Sequence, residues 1–384
     1  MNNFEYHNPV KIIFGEKTIT KISKEIPSNS RVLITYGGGS IKKNGIFTEV
    51  KNALSNHFFI EFGGIEPNPE YETLMQAAAL VKKENIDFIL AVGGGSVLDG
   101  TKFISAAATY QGDDPWDILS KGAAVKSAIP LASIMTLPAT GSEMNSFAVV
   151  SRRALSLKLA FGSPLLYPKF SILDPNTMKS LPRRQKANGV VDAFIHVLEQ
   201  YLTYPNEAEV QDRWAEGVLK TLIIYGPDYV HQEFNYQNSS NIMWAATCAL
   251  NGMIGVGVPH DWATHAIGHE ITALFELDHA QTLAIILPGM MNVMQKEKAE
   301  KLQRFAKEVF DIPASDYTLE KVIDSTESFF QSLGMKTKLS DYSIPQDKIQ
   351  TIVDMLAKGK SIKLGERATL NDDNVSQILN GQFA

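Results

Sequence analysis

Five side chains in the second half of this 384-residue chain are of types that bind divalent metal ions: Asp192, His196, His265, His269 and His279. Asp192 and His196 lie four residues apart in the helix-like run NGVVDAFIH (188–196), so a helix projects both from one face. His265 and His279 flank a second apolar, helix-like run, with His269 between them. One carboxylate with several imidazoles is the ligand set of a divalent transition metal that keeps a position open for substrate. Spacing alone leaves two quartets open. His265 pairs with His269, four residues on along one helix, or with the more distant His279. His260, after Pro259, reads as a helix-start residue, and His7, His57 and His231 sit in polar contexts that read as surface.

Metal-assisted chemistry needs a second reactant, and the first half of the chain offers a place for one. Two apolar runs end in nearly the same residues, Gly37, Gly38, Gly39 and Ser40 after RVLITY, and Gly93, Gly94, Gly95 and Ser96, with Asp99 beyond, after DFILAV. Glycines at the carboxyl end of a strand let backbone N–H groups approach phosphate oxygens, and the helix that follows adds its N-terminal partial charge. Neither loop is a GxGxxG fingerprint, and no carboxylate ends the first strand to bind an adenosine ribose. Ser40 stands there instead, with Lys42 and Lys43 close by, which tolerates a 2′-phosphate and favours NADP(H) over NAD(H). Lys43 also reads as part of a solvated helix face. A third segment, TLPATGSEMN (136–145), carries hydroxyls at Thr136, Thr140 and Ser142 and a carboxylate at Glu143 that suit a phosphate, ribose or nicotinamide amide. The same pattern is that of an N-capped helix start.

The elements that must position these groups fall into two blocks. Short apolar runs at 31–36, 58–62, 87–92, 133–137 and 170–174 read as buried strands, with helical patterns near 44–55, 69–84 and 96–109. Strand and helix in alternation imply a doubly wound parallel sheet covered on both faces. After residue 180 the strand signal stops, and amphipathic helices follow near 187–203, 208–224, 237–254, 261–274, 280–309, 318–333 and 345–358. The expectation is an α/β nucleotide-binding domain over 1–180 and an all-α domain over 181–384. The turn-rich DPNTMKSLP (174–182) marks the boundary, and every metal-ligand candidate lies beyond it.

Composition narrows the function classes. Hydrophobic residues at 44% and charged residues at 20% suit a globular domain, and a net charge of -6 without like-charge blocks favours neither nucleic acid nor an anionic membrane as partner. A single cysteine, Cys248 in an apolar helical run, excludes an internal disulfide and fits a reducing compartment. The first residues carry neither the basic nor the apolar region of a signal peptide, and no apolar run reaches membrane-span length. A cytoplasmic enzyme is expected.

Taken together, the segments RVLITYGGGS, FGGIEPNP, AVGGGSVLDGTK, TLPATGSE, NGVVDAFIH and GHEITA…LDHA resemble the iron-containing (group III, metal-dependent) alcohol dehydrogenases through nearly the whole chain. Within that family the chain looks most similar to NADPH-dependent aldehyde reductases and butanol dehydrogenases. The resemblance implies a dehydroquinate-synthase-like fold. It implies Asp192, His196, His265 and His279 as metal ligands, with iron or zinc as the ion, and makes His269 a near-site histidine, our candidate for proton relay. It assigns the pyrophosphate to Gly93, Gly94, Gly95, Ser96 and Asp99, and other cofactor contacts to Thr136, Thr140, Ser142 and Lys158. NAD-using members commonly carry an aspartate near Gly39. This chain does not, which again favours NADP(H). The expected reaction is reversible reduction of short-chain aldehydes to primary alcohols, in a homodimer that pairs through a strand at 10–15. The rival readings are a glycerol- or diol-type NAD-dependent dehydrogenase and a dehydroquinate-synthase-like lyase, which would line its cleft with Lys and Arg. Phe194, Ile195, Trp262 and Leu274 on the ligand helices suit a small apolar aldehyde instead.

Overall fold

The structure is a computed structural model in which residues 1–383 are described. It contains two compact units, His7–Leu181, and Met1–Tyr6 together with Pro182–Ala384. The first six residues thus go with the helical unit rather than with the residues that follow them.

The α/β unit carries strands β1 (Lys11–Phe14), β2 (Arg31–Tyr36), β3 (Phe58–Phe62), β4 (Phe88–Gly94), β5 (Leu131–Leu137), β6 (Phe147–Arg152), β7 (Leu157–Gly162) and β8 (Phe170–Leu173). Its helices are α1 (Ile22–Glu25), α2 (Ser40–Lys43), α3 (Ile46–Ala53), α4 (Tyr71–Lys83), α5 (Gly95–Ala107) and α6 (Asp117–Ser120). Six strands form one parallel sheet in the order β1-β8-β5-β4-β2-β3. The runs of Val, Ile, Leu and Phe in β2 and β4 are buried throughout, as a sheet covered on both faces requires. From β2 the chain moves outward to β3, whereas from β4 it moves the other way to β5. The order therefore reverses between β2 and β4, whose ends lie side by side with Tyr36 opposite Val92. Ligands of open α/β sheets bind outside the carboxyl ends of the strands at such a reversal, and both glycine loops begin there.

One element was not expected. β6 and β7 form an antiparallel hairpin, Phe147 opposite Gly162 and Arg152 opposite Leu157. Its turn lacks the Asn-Gly or Asp-Gly signature of tight hairpins and uses a 3₁₀ turn at Arg153–Leu155, with Ser156 at φ 52° in the left-handed region.

The helical unit comprises α7 (Arg183–Tyr201), α8 (Glu209–His231), α9 (Tyr236–Ala249), α10 (Ala263–Phe275), α11 (His279–Val293), α12 (Ala299–Phe310), α13 (Leu319–Ser332), α14 (Ile349–Ala357) and α15 (Asp372–Asn380). α7 is buried around its whole circumference from Gly189 to Tyr201, which makes it the central helix. Phe194 packs against Phe305, Phe329 and Phe330 with ring centroids 5.0–6.3 Å apart. The run at 280–309, read as one helix, is two, because the chain turns at Met294–Lys298 to bury the Lys298 ammonium. Its Nζ donates to Leu202 O (2.6 Å), Asp261 Oδ2 (2.5 Å) and Glu366 Oε2 (3.0 Å). α15, nine residues long, was too short to stand out by periodicity.

Candidate active site

Three helices bring the candidate metal-binding side chains together. Asp192 and His196 come from the middle of α7, His265 and His269 from α10, and His279 is the first residue of α11. One donor atom each from Asp192, His265 and His279 lies within 4.8 Å of the others. Asp192 Oδ1 is buried and accepts no hydrogen bond from a described residue. It faces His196 Nδ1 at 3.7 Å, His279 Nε2 at 3.8 Å and His265 Nε2 at 4.0 Å. These separations exceed hydrogen-bond length. Donors about 2.1 Å from a common ion stand about 3.4 Å apart in a tetrahedron, so spacing of this order fits an ion between them. A buried carboxylate oxygen ringed by imidazole nitrogens, rather than bonded to them, is the observation that fits a metal. His196 lies at the edge of the group, its ring stacked on that of His265 with centroids 4.7 Å apart. His269 stands outside it, 6.3 Å from the His265 ring and 4.9 Å from that of His279. The structure therefore groups His279, not His269, with Asp192 and His265.

A residue that sequence reasoning missed orients the cluster. Glu199 is 4% exposed, and its Oε1 lies 2.9 Å from His265 Nδ1 while also accepting from the His265 backbone N–H at 3.0 Å. A carboxylate at Nδ1 fixes the tautomer that leaves Nε2 with its lone pair toward Asp192. Burial, and then the Asp261 carboxylate, pushes Glu199 up to about 8. The signal was available, because positions 192, 196 and 199 share one face of α7. His279 is held by its helix start. Asp278 closes a capping box with Gln281 and accepts from Asn188 Nδ2 (2.7 Å) and Arg184 Nη2 (2.9 Å) on α7. Between His265 and His269, Gly268 lies so close to α11 that a Cβ there would meet Thr282 Oγ1 at 2.9 Å and Leu283 Cδ2 at 3.0 Å.

Upstream of α10 the backbone is strained. Trp262 has φ 62°, a conformation that costs a bulky residue about 1–3 kcal/mol. It is held from both sides. Asp261 Oδ1 caps the Ala263 N–H at 2.9 Å, and the Asp261 N–H donates to Glu199 O at 2.8 Å. Of the apolar residues expected to face substrate, Phe194 and Ile195 are fully buried in the core and Leu274 packs against the cluster around α14 and α15. That part of the expectation is corrected. An inward helix face and a cleft-facing one look alike in sequence when the helix is buried all round.

In the α/β unit, the loops after β2 and β4 are built largely of backbone. Gly95 opens α5, and a Cβ there would lie 2.5 Å from Thr140 Oγ1 and 2.6 Å from its Cγ2. Gly94 and Ser96 are half-buried, Gly93 is buried, and Gly38 and Ser40 are exposed, as are Lys42 and Lys43. Lys42, expected near a 2′-phosphate, places its Nζ 2.8 Å from Glu61 Oε2 and over the Tyr36 ring. Thr136, Thr140 and Lys158 are half-buried, and Lys158 Nζ donates to Asn68 Oδ1 at 2.8 Å. Asp99 and Ser142, read as cofactor contacts, bond to each other (2.7 Å), and Asp99 Oδ2 accepts from the Val149 N–H (3.0 Å). Ser142 meets a residue the sequence did not single out. Lys102 is fully buried and donates to Ser142 Oγ (2.7 Å), Asn145 Oδ1 (3.0 Å) and Phe147 O (2.7 Å). Burial holds its ammonium down at about 8 despite Asp99. Its position one turn after Asp99 was the available clue.

Comparison with known proteins agrees with both halves of this description. The profile of iron-containing alcohol dehydrogenases matches residues 9–175, and that of the C-terminal region of the Fe-containing alcohol dehydrogenase family matches residues 186–383. The NADPH-dependent aldehyde reductase YqhD of Escherichia coli K12 is 51% identical over 377 residues, 97% of each chain. A probable NADH-dependent butanol dehydrogenase 1 of Bacillus subtilis is 40% identical over 99% of each. The crystal structure of E. coli K-12 YqhD superposes with a TM-score of 0.96 at 50% identity, covering 99% of both chains.

Proposed function

The chain belongs to the iron-containing alcohol dehydrogenase family, and from that premise we propose that it reduces short-chain aldehydes reversibly to primary alcohols with NADPH. The observation that carries this reading is the ring of imidazole nitrogens around the buried Asp192 oxygen. Asp192, His196, His265 and His279 would hold one divalent ion, iron first and zinc as the alternative. When bound, the ion supplies Lewis acidity toward a carbonyl oxygen, and the nicotinamide supplies the hydride. The protein's own contribution is orientation and proton handling. Glu199 keeps His265 in the ligating tautomer, and the capping box holds His279 at the start of α11. His269, half-buried beside His279, is placed to pass a proton toward the product oxygen.

For the cofactor, Gly93, Gly94, Gly95 and Ser96 would take the pyrophosphate at the start of α5, and Thr136, Thr140 and Lys158 would meet the remainder. Gly37, Gly38, Gly39 and the exposed Ser40 leave room for a 2′-phosphate, and the exposed Lys43 is the cation proposed to meet it. Asp99 and Ser142 are proposed cofactor contacts as well, and with Lys102 they brace the loop at 140–147 against α5. The two domains are proposed to divide near residues 180–182. A homodimer would pair through β1, an edge strand bonded, among the described residues, only to β8. No helix among the described residues is long and apolar enough to cross a membrane, which accords with a cytoplasmic setting.

The decisive experiment is metal analysis of the purified protein with loss of absorbance at 340 nm on butanal, using NADPH and NADH in parallel. Faster turnover with NADPH and about one divalent ion per chain are expected. Turnover of glycerol with NAD alone would favour the diol-type reading instead. Light scattering of the eluted protein reads the dimer.

A further inference from the structure

One large side chain outside the core stands beside the imidazole cluster. Trp262 is half-buried, and its ring stands edge-on to His265 and His196 with centroids 5.3 and 6.1 Å apart. Its only polar atom is already engaged, since Nε1–H donates to His260 Nδ1 at 3.3 Å. His260 Nε2 lies 2.9 Å from Gly255 O. A carbonyl only accepts, so Nε2 carries the hydrogen and Nδ1 the lone pair, and the two bonds together fix one neutral tautomer. The ring is thereby turned by a dedicated partner, with no donor left over for a substrate hydroxyl or carboxylate.

The backbone makes the choice of residue conspicuous. Glycine or asparagine occupies φ 62° easily, whereas a tryptophan does so only under strain. Phe194, Ile195 and Leu274 on the ligand helices are committed to the core. Trp262 is a large apolar group beside the cluster.

We propose that Trp262 is the specificity-determining wall of this site, receiving the hydrocarbon part of an aldehyde on its ring, and that His260 is a positioning residue for that ring. The inference rests on the reading of the imidazole cluster as the place where the carbonyl is reduced. It names the substrate class: aldehydes with an alkyl or aryl chain, in preference to polyhydroxylated or anionic ones. A bare aromatic face attracts C–H groups and desolvates hydroxyls without replacing their partners.

The test compares kcat/KM for hexanal and acetaldehyde at saturating NADPH in the full-length protein and in W262N, W262F, H260L and H260Q, with metal content measured for each. Asparagine relieves the backbone strain while deleting the ring. The hexanal-to-acetaldehyde ratio should fall about tenfold in W262N, mainly through KM, because each methylene on an apolar surface is worth a few-fold. W262F should keep most of the ratio. H260L should lower it, and H260Q, which can still accept and donate, should restore it. Independently of turnover, titration with hexanamide should change tryptophan emission in the parent protein and not in W262F, where Trp116, Trp214 and Trp244 remain. An unchanged ratio in W262N, or an unchanged hexanamide response in W262F, overturns the inference alone. A parent protein that binds no divalent ion, or reduces no aldehyde, overturns the site reading beneath it.

Discussion

The two halves of this chain build their sites from opposite materials. In the α/β unit the proposed cofactor loops are backbone: glycines at the ends of β2 and β4, with side chains such as Lys102 bracing from behind. In the helical unit the proposed metal site is made of side chains from three helices, with His265 aimed by Glu199 and His279 by its capped helix start. A backbone site is damaged by adding atoms, because every added Cβ fills the space a ligand needs. A side-chain site is damaged by removing them.

That contrast can be broken or sharpened in order of effect. H265A should abolish metal binding and turnover together, read by elemental analysis and the 340 nm assay, while leaving NADPH binding by fluorescence intact. Retained turnover would break the comparison at its strongest point. H269Q should keep the metal and lower kcat by about a hundredfold, the usual worth of a positioned proton donor. E199Q should weaken metal affinity by about 10- to 100-fold in a chelator competition, since it loosens a ligand without deleting it. G95A, which adds a single methyl against Thr140, should raise the KM for NADPH by about tenfold with metal content unchanged.

The smallest effect separates the two units by pH. Glu209 on α8 is held down to about 2, chiefly by its bonds to Arg304. Its contribution is present above the ordinary carboxylate value and is lost as pH falls through about 2. In E209Q the urea midpoint of the helical unit should therefore lie below the parent's at pH 6, with the gap closing toward pH 2. Lys102 has the same sign in a separate, alkaline window. Its folded value of about 8 lies below the unfolded 10.5, so the unfolded chain binds more protons between them, and this group adds stability as pH rises through that window. K102M should remove that rise in the α/β unit and leave the acid limb alone.

The same division explains what could be read from sequence. The parallel sheet was legible because its strands are continuous apolar runs ending in glycine, and Asp192 with His196 because both lie on one helix. His265 with His279 was not decidable by spacing. α10 ends at Phe275 and α11 begins at His279, so the relation between the two imidazoles is set by how the helices cross, which no local period records. Glu199 and Lys102 escaped notice because a buried charge looks like a surface charge until its surroundings are known. Phe194 and Ile195 misled for the complementary reason, since α7 buries every face.

Gly268 carries one more consequence. Its missing methyl lets α10 and α11 touch between His265 and His269, with the His265 and His279 rings 5.2 Å apart. It acts as a gauge block, setting the bore of the proposed imidazole cage without lining it. Alanine there would shim the helices apart by a few tenths of an ångström and shift which ionic radius the cage grips best. The chain's choice between metals of similar chemistry would then be written in an atom that is not there.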